Sequence, residues 1–167
     1  LNLLEMIVQL VLSTDMSRHV QIIGEANGLA ASGGFRLDKP GDRLLLLKLM
    51  IKLSDLSNST RVLETYKGWT DALCQEFFGQ GDLERERGFP ISPFMDKATM
   101  NLPKMQKTFL SIVVKPLVDC VVRCIPDASE LESNLEKNAQ YWVIPPSPQP
   151  LTPANPSPNY EVVDVKV

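Results

Sequence analysis

An all-α fold is the class this sequence predicts, and three observations predict it. Apolar residues recur at three- and four-residue intervals through most of the chain. No stretch of useful length alternates with the period of two that a half-buried strand requires. Prolines and capping-type residues stand where such helices would begin, at Pro40, Pro103 and Asp127.

The elements follow in order. Residues 1 to about 27 place Leu3, Leu4, Ile7, Leu10, Val11 and Met16 at helical intervals and read as one helix, ended by the glycine-rich stretch from Gly28 to Gly34. Asp38-Lys39-Pro40 opens a second helix with an apolar face from Leu44 to Leu53, interrupted by the polar turn from Asp55 to Thr60. A third helix runs from about Val62 to Gly79. The segment from Gly81 to Asp96, holding Gly88, Pro90 and Pro93, reads as largely loop. Pro103 starts a long helix that carries Phe109, Ile112, Val113, Leu117 and Val121. Pro116 should kink it, because proline lacks an N–H and crowds the carbonyl four residues back. Asp127-Ala128-Ser129-Glu130 reads as a capping box for a last helix ending near Trp142. From Val143 the chain turns proline-rich. Residues 1–142 are therefore the expected folded part and 143–167 a disordered tail. The PxxP spacings in the tail would suit an SH3 or WW partner, but a plain disordered terminus is the favoured reading.

Composition narrows the function. The chain has 167 residues, of which 44% are hydrophobic and 22% charged, the profile of a globular domain with a sizeable core. Its net charge is −3 and it carries no basic run, which excludes the electrostatic footprint of a nucleic-acid binder. No segment reaches the roughly 20 apolar residues of a membrane span. The run from Leu1 to Leu12 is broken by Asn2, Glu5 and Gln9 and reads as a core helix, not a signal peptide. Cys74, Cys120 and Cys124 form no disulfide framework. They read as reduced, buried thiols of a cytoplasmic protein, with Cys120 and Cys124 packing on one helix face. The chain opens on Leu1, as expected of a piece of a longer protein.

Three groups of residues are candidates for chemistry. Asp55 ends an apolar helix, where a carboxylate either bonds the backbone of the following turn or binds a metal. Gln106 and Phe109 lie three apart on one helix face, as a surface amide beside a core aromatic or as an amide and a ring meeting one ligand. Tyr66, Trp69, Thr70, Leu73 and Phe77 form one stripe whose default reading is core.

Several strings occur in order: Thr14-Asp15-Met16-Ser17-Arg18-His19, Ser54-Asp55-Leu56-Ser57-Asn58, Trp69-Thr70-Asp71, Glu76-Phe77-Phe78, Gln80-Gly81-Asp82, Ile91 to Lys97, Gln106 with Phe109, and Lys115-Pro116-Leu117. Over roughly residues 5 to 142 they resemble the C-terminal half of the catalytic domain of class I 3',5'-cyclic-nucleotide phosphodiesterases. Ser54 and Ser59 depart from that pattern, as do Met105, Lys107 and Thr108. The resemblance implies a partial multi-helix phosphodiesterase-like bundle and hydrolysis of a cyclic nucleotide to the 5'-monophosphate by a metal-activated water. It implies two divalent metals in the intact enzyme, zinc with magnesium or manganese. Asp55 would be one metal ligand, and the remaining ligands would come from an upstream half of the same catalytic domain. None of the residues here is implied to be a catalytic acid or base, and His19 falls on a stretch that supplies no metal ligand. Gln106 would bond the purine edge, with Phe109 and Leu73 clamping the ring. Asn58 and Thr70 would lie near the base, Phe94 would line the pocket, and Trp69, Phe77 and Met16 would be further binding positions. Tyr66 paired with Gln106 resembles cAMP-preferring members, while Lys52 and Pro93-Phe94-Met95-Asp96 resemble cGMP-preferring ones; cAMP is the expectation. The fragment alone is expected to be inactive. The rival reading is a non-catalytic helical scaffold or interaction module that has lost its metal-binding half.

Overall fold

The structure is a computed structural model that describes residues 2–143. The tail expected over 143–167, with its PxxP spacings, lies outside the described residues apart from Val143. Among the described residues there are α-helices, short 3-10 turns and one π turn, and no strand, so the all-α expectation holds. The helices are α1 (Leu3–Ser13), α2 (His19–Ala31), α3 (Pro40–Asp55), α4 (Leu63–Glu86), α5 (Leu102–Phe109), α6 (Lys115–Cys124) and α7 (Ser129–Tyr141).

The single helix expected over residues 1–27 is two. Asn2 and Glu5 form a capping box that starts α1, each side chain bonding the other's backbone N–H at 2.9 and 3.1 Å. The Ser13 and Thr14 hydroxyls bond back to the Leu10 and Val11 carbonyls. Asp15 then takes the Ser17 N–H at 2.8 Å and opens a 3-10 turn, Met16–Arg18. Short polar side chains thus offer the backbone an alternative to the helix, and the chain changes direction. The next boundary also moves: α2 runs through Gly28, and Gly33 and Gly34, at φ +111° and +90°, make the turn beyond it.

α4 extends to Glu86, well into the segment expected to be loop. Gln80 to Glu84 and Asp82 to Arg85 are side-chain pairs that support the added turns. Gly81 has a packing reason. A Cβ there would collide with the Met95 carbonyl oxygen. Gly81→Ala should therefore destabilise the protein by at least about 1 kcal/mol despite its better helix propensity. Gly79→Ala, with open space around it, should stabilise by about 0.5–1 kcal/mol. Chemical denaturation of the two variants checks the contrast.

The kink expected at Pro116 is a π turn, Leu110–Val114, between α5 and α6. The Lys115 N–H reaches back to the Leu110 carbonyl, a wider ring that accommodates the proline which follows. The capping box expected at Asp127 is not made. α7 starts after a 3-10 turn, Pro126–Ala128, with no side-chain cap.

The described residues divide into two compact units, residues 2–67 with 101–143 and residues 68–100. The first has two apolar clusters. One joins Ile22, Ile23 and Ala26 of α2 to Leu45 and Leu49 of α3 and to Leu117, Cys120 and Val121 of α6. The other joins Tyr66, Leu110, Val114, Val118, Leu135 and Trp142. Each fully buried aliphatic side chain contributes about 1.5–3 kcal/mol. Cys120 is buried in the first cluster and Cys124 packs against it, as the packing reading expects. Burial pushes the Cys120 and Cys74 thiols up to about 11, so both stay protonated. In the second unit Glu84 accepts hydrogen bonds from Gln80 and from the Ser92 backbone and hydroxyl, which hold its carboxyl below the usual range. Those bonds, with Arg85 to Asp96 at 3.1 Å, tie the segment carrying Phe94 back onto α4.

Candidate functional site

Gln106 sits on α5, whose start is set by Asn101 accepting the Lys104 N–H and by Pro103 in the first turn. Its side chain is buried, at 4% exposure, which overturns the surface reading of this glutamine. Its Oε1 accepts from the Tyr66 hydroxyl at 2.9 Å, and that hydroxyl accepts from the Trp142 indole N–H at 2.7 Å. An indole N–H can only donate, so the hydroxyl receives there and delivers its own proton to the glutamine. The Tyr66 and Trp142 rings meet edge to face at 6.4 Å. This relay orients the amide and leaves its Nε2 donor and the second Oε1 lone pair unused by the bond. Phe109, one turn further on, packs half-buried against the same cluster.

Trp142, which completes this relay, is a residue that sequence reasoning passed over. It was legible only as a helix end, because nothing in its neighbourhood signals a partner 76 positions away. Asn138 was missed for the same reason. Fully buried on α7, its amide donates to the Ser59 and Arg61 carbonyls at 2.9 Å each and pins the 3-10 turn Ser57–Thr60.

That turn carries Asn58, half-buried, whose side-chain oxygen accepts from the Ser59 N–H at 2.9 Å. Asp55, just before it, is exposed at the end of α3. The described residues contain no group of three or more His, Cys, Asp or Glu able to hold a metal ion. Asp55 offers one carboxylate where a zinc site needs at least three protein ligands, so these residues do not by themselves fit a catalytic metal.

Met16 is on the 3-10 turn between α1 and α2, 46% exposed. His19 opens α2, buried, with Nε2 3.0 Å from the Val113 carbonyl. A carbonyl can only accept, so Nε2 carries the proton. Burial, and Lys52 nearby, pull the ring below the usual histidine range, against the Val113 carbonyl, so it is neutral. His19 is thus structural.

The other candidates lie on the second unit. The stripe read as one core face splits into two. Tyr66, Thr70 and Cys74 are buried on successive turns of α4, whereas Trp69, Leu73 and Phe77 form a parallel row that is exposed or half-buried. A row of large apolar side chains left accessible beside a buried one is what a ligand-facing surface looks like. Phe94 is exposed and holds a left-handed backbone, φ +70°, which costs a bulky residue energy.

Gln106 with Phe109, and Asp55 with the turn after it at the end of α3, are among the strings that carry the phosphodiesterase resemblance. The sequence profile of the 3'5'-cyclic nucleotide phosphodiesterase family matches residues 1–135. The chain belongs to this family. It is 40% identical over 158 residues to the Drosophila melanogaster 3',5'-cyclic-AMP phosphodiesterase isoform F, covering 89% of this chain and 24% of that protein. It matches isoform I of the same fly enzyme at the same identity, over 13% of its length. Among solved structures, the phosphodiesterase LmjPDEB1 in complex with IBMX superposes with a TM-score of 0.75 at 29% identity, over 83% of this chain and 42% of that one. The chain thus spans less than half the length of each of these phosphodiesterases, and its helical fold is that of part of a phosphodiesterase catalytic domain. Among the described residues no helix is long and apolar enough to cross a membrane.

Proposed function

We propose that residues 1–142 are the C-terminal, base-binding part of a cyclic-nucleotide phosphodiesterase catalytic domain, acting in the cytoplasm within a larger enzyme that hydrolyses a 3',5'-cyclic nucleotide. The observation that carries this reading is the Trp142–Tyr66–Gln106 relay, an oriented and buried amide with no evident purpose in a core that apolar packing alone would hold. Gln106 bonds the purine edge, Phe109 and Leu73 clamp the ring, and Asn58 and Thr70 lie near the base. Trp69, Phe77, Phe94 and Met16 are apolar wall. The fixed amide and the fly cAMP enzymes favour cAMP over cGMP. Two divalent metals, zinc with magnesium or manganese, would supply an activated water when bound; Asp55 is the ligand this chain contributes, and the others belong to the remainder of the domain.

A second feature supports a missing layer. α1 is apolar nearly all round, and Leu3, Leu4, Ile7, Val8, Val11 and Leu12 are all exposed by 47% or more. A helix with this pattern is normally buried on every side, so the rest of the catalytic domain is the partner assigned to it.

The test is to join residues 1–167 to the complementary, metal-bearing part of a family catalytic domain and to assay cAMP and cGMP hydrolysis. Turnover is expected, and Gln106→Ala should lower kcat/KM about ten- to hundredfold, the scale of a lost bidentate base contact. A folded fusion without turnover would leave the non-catalytic module as the reading, as would a free fragment that is monomeric and melts cooperatively.

A further inference from the structure

Lys52 is a charged residue at 1% exposure, lying on the same face of α3 as the core residues Leu45 and Leu49. A buried ammonium is costly unless its donors are satisfied. Here its Nζ donates to three backbone carbonyls: Ser13 at 2.9 Å, and Thr14 and Asp15 at 3.4 Å each. These are the carbonyls at which α1 ends, where helical bonding stops and the dipole is negative. Lys52 therefore caps α1 from another helix and binds the chain immediately before the Met16–Arg18 turn. His19 binds the chain immediately after it, through Val113, in the π turn that continues the helix bearing Gln106 and Phe109. Its other ring nitrogen, Nδ1, is buried with no partner among the described residues, so the ring is held from one side only. Three residues on the surface are thus bracketed by two buried polar anchors, drawn from sequence separations of 37–39 and 94 positions. An ordinary connecting turn has no such anchoring.

We propose that Lys52 and His19 are positioning residues that hold the Met16 turn in fixed register with the helix bearing Gln106 and Phe109. On the nucleotide-site reading, which this consequence rests on, Met16 is then a rigid wall of the base pocket and not a mobile flank.

The experiment is residue-resolved amide hydrogen exchange on the full 167-residue chain, with titration by 5'-AMP. Lys52→Met should accelerate exchange at residues 14–18 at least about tenfold while the amides of α7 keep their wild-type rates. Lys52→Arg, which keeps the cation and its reach, should restore protection. His19→Phe, which keeps an aromatic ring but removes the donor, should accelerate the same turn and the start of α2. 5'-AMP affinity should fall about three- to tenfold in Lys52→Met and recover in Lys52→Arg. Should Lys52→Met fail to fold, Lys52→Gln decides by the same comparison. Unchanged exchange at residues 14–18, or acceleration spread evenly through α7, overturns the proposal. Local acceleration in a protein that binds no 5'-AMP even as wild type upholds the clamp and removes the nucleotide reading instead.

Discussion

Residues 1–167 alone should hydrolyse neither cAMP nor cGMP above background and should take up no stoichiometric zinc. The reason is ligand count. Zinc requires at least three protein ligands and a catalytic centre also keeps an open position. Among the described residues no three candidate ligands converge, and Asp55 stands alone on the surface at the end of α3. The relevant scale is large, since enzymes accelerate hydrolyses by about a millionfold or more. On the proposed reading, residual binding of a base by Gln106 and Phe109 would supply none of that, because it would hold substrate and transition state equally. The measurement is zinc content after dialysis together with product formation at high protein concentration. One bound zinc per chain, or turnover that depends on added metal, would show that these residues assemble a metal site unaided.

Tyr66→Phe should produce a large loss of stability for the deletion of a single atom. The hydroxyl accepts from Trp142 and donates to Gln106, and all three residues are buried at 8% exposure or less. Removing it strands a buried indole N–H and a buried amide oxygen. Each unsatisfied group costs about 1–3 kcal/mol, so the total is about 2–4 kcal/mol once some relaxation is allowed. For a chain of this size that corresponds to a fall in Tm of roughly 5–12 °C. The same variant frees the Gln106 amide to turn over, so in the joined enzyme described above the ratio of kcat/KM for cAMP and cGMP should move towards one. Calorimetry reads the first effect and paired kinetics the second. A drop in Tm with an unchanged ratio would mean that the relay stabilises the fold without orienting the base-reading amide.

Local chemistry was written plainly enough to be read in advance. The helical spacing of apolar residues, Pro40 and Pro103 at helix starts, the turn after Asp55 and the disturbance before Pro116 all depend on neighbours within a few positions, and the structure has each of them. The family strings were legible because they are contiguous. Where the reading failed, a longer-range contact or a competing local bond prevailed. Asp15 and two hydroxyls cut one expected helix in two, and the loop that packs on Gly81 accompanies an α4 that runs further than glycines and prolines suggested. Lys52 gave a usable signal, since it falls seven residues after Leu45 and three after Leu49 on an apolar face, but which carbonyls would satisfy it is not a property of α3. Trp142 and Asn138 gave none. Their roles are hydrogen bonds to residues 76 to 79 positions away. Residue identity settles which atoms can donate or accept and which faces seek burial. Which donor meets which acceptor across the bundle is settled by packing, because a buried polar atom takes whatever partner the fold brings to it.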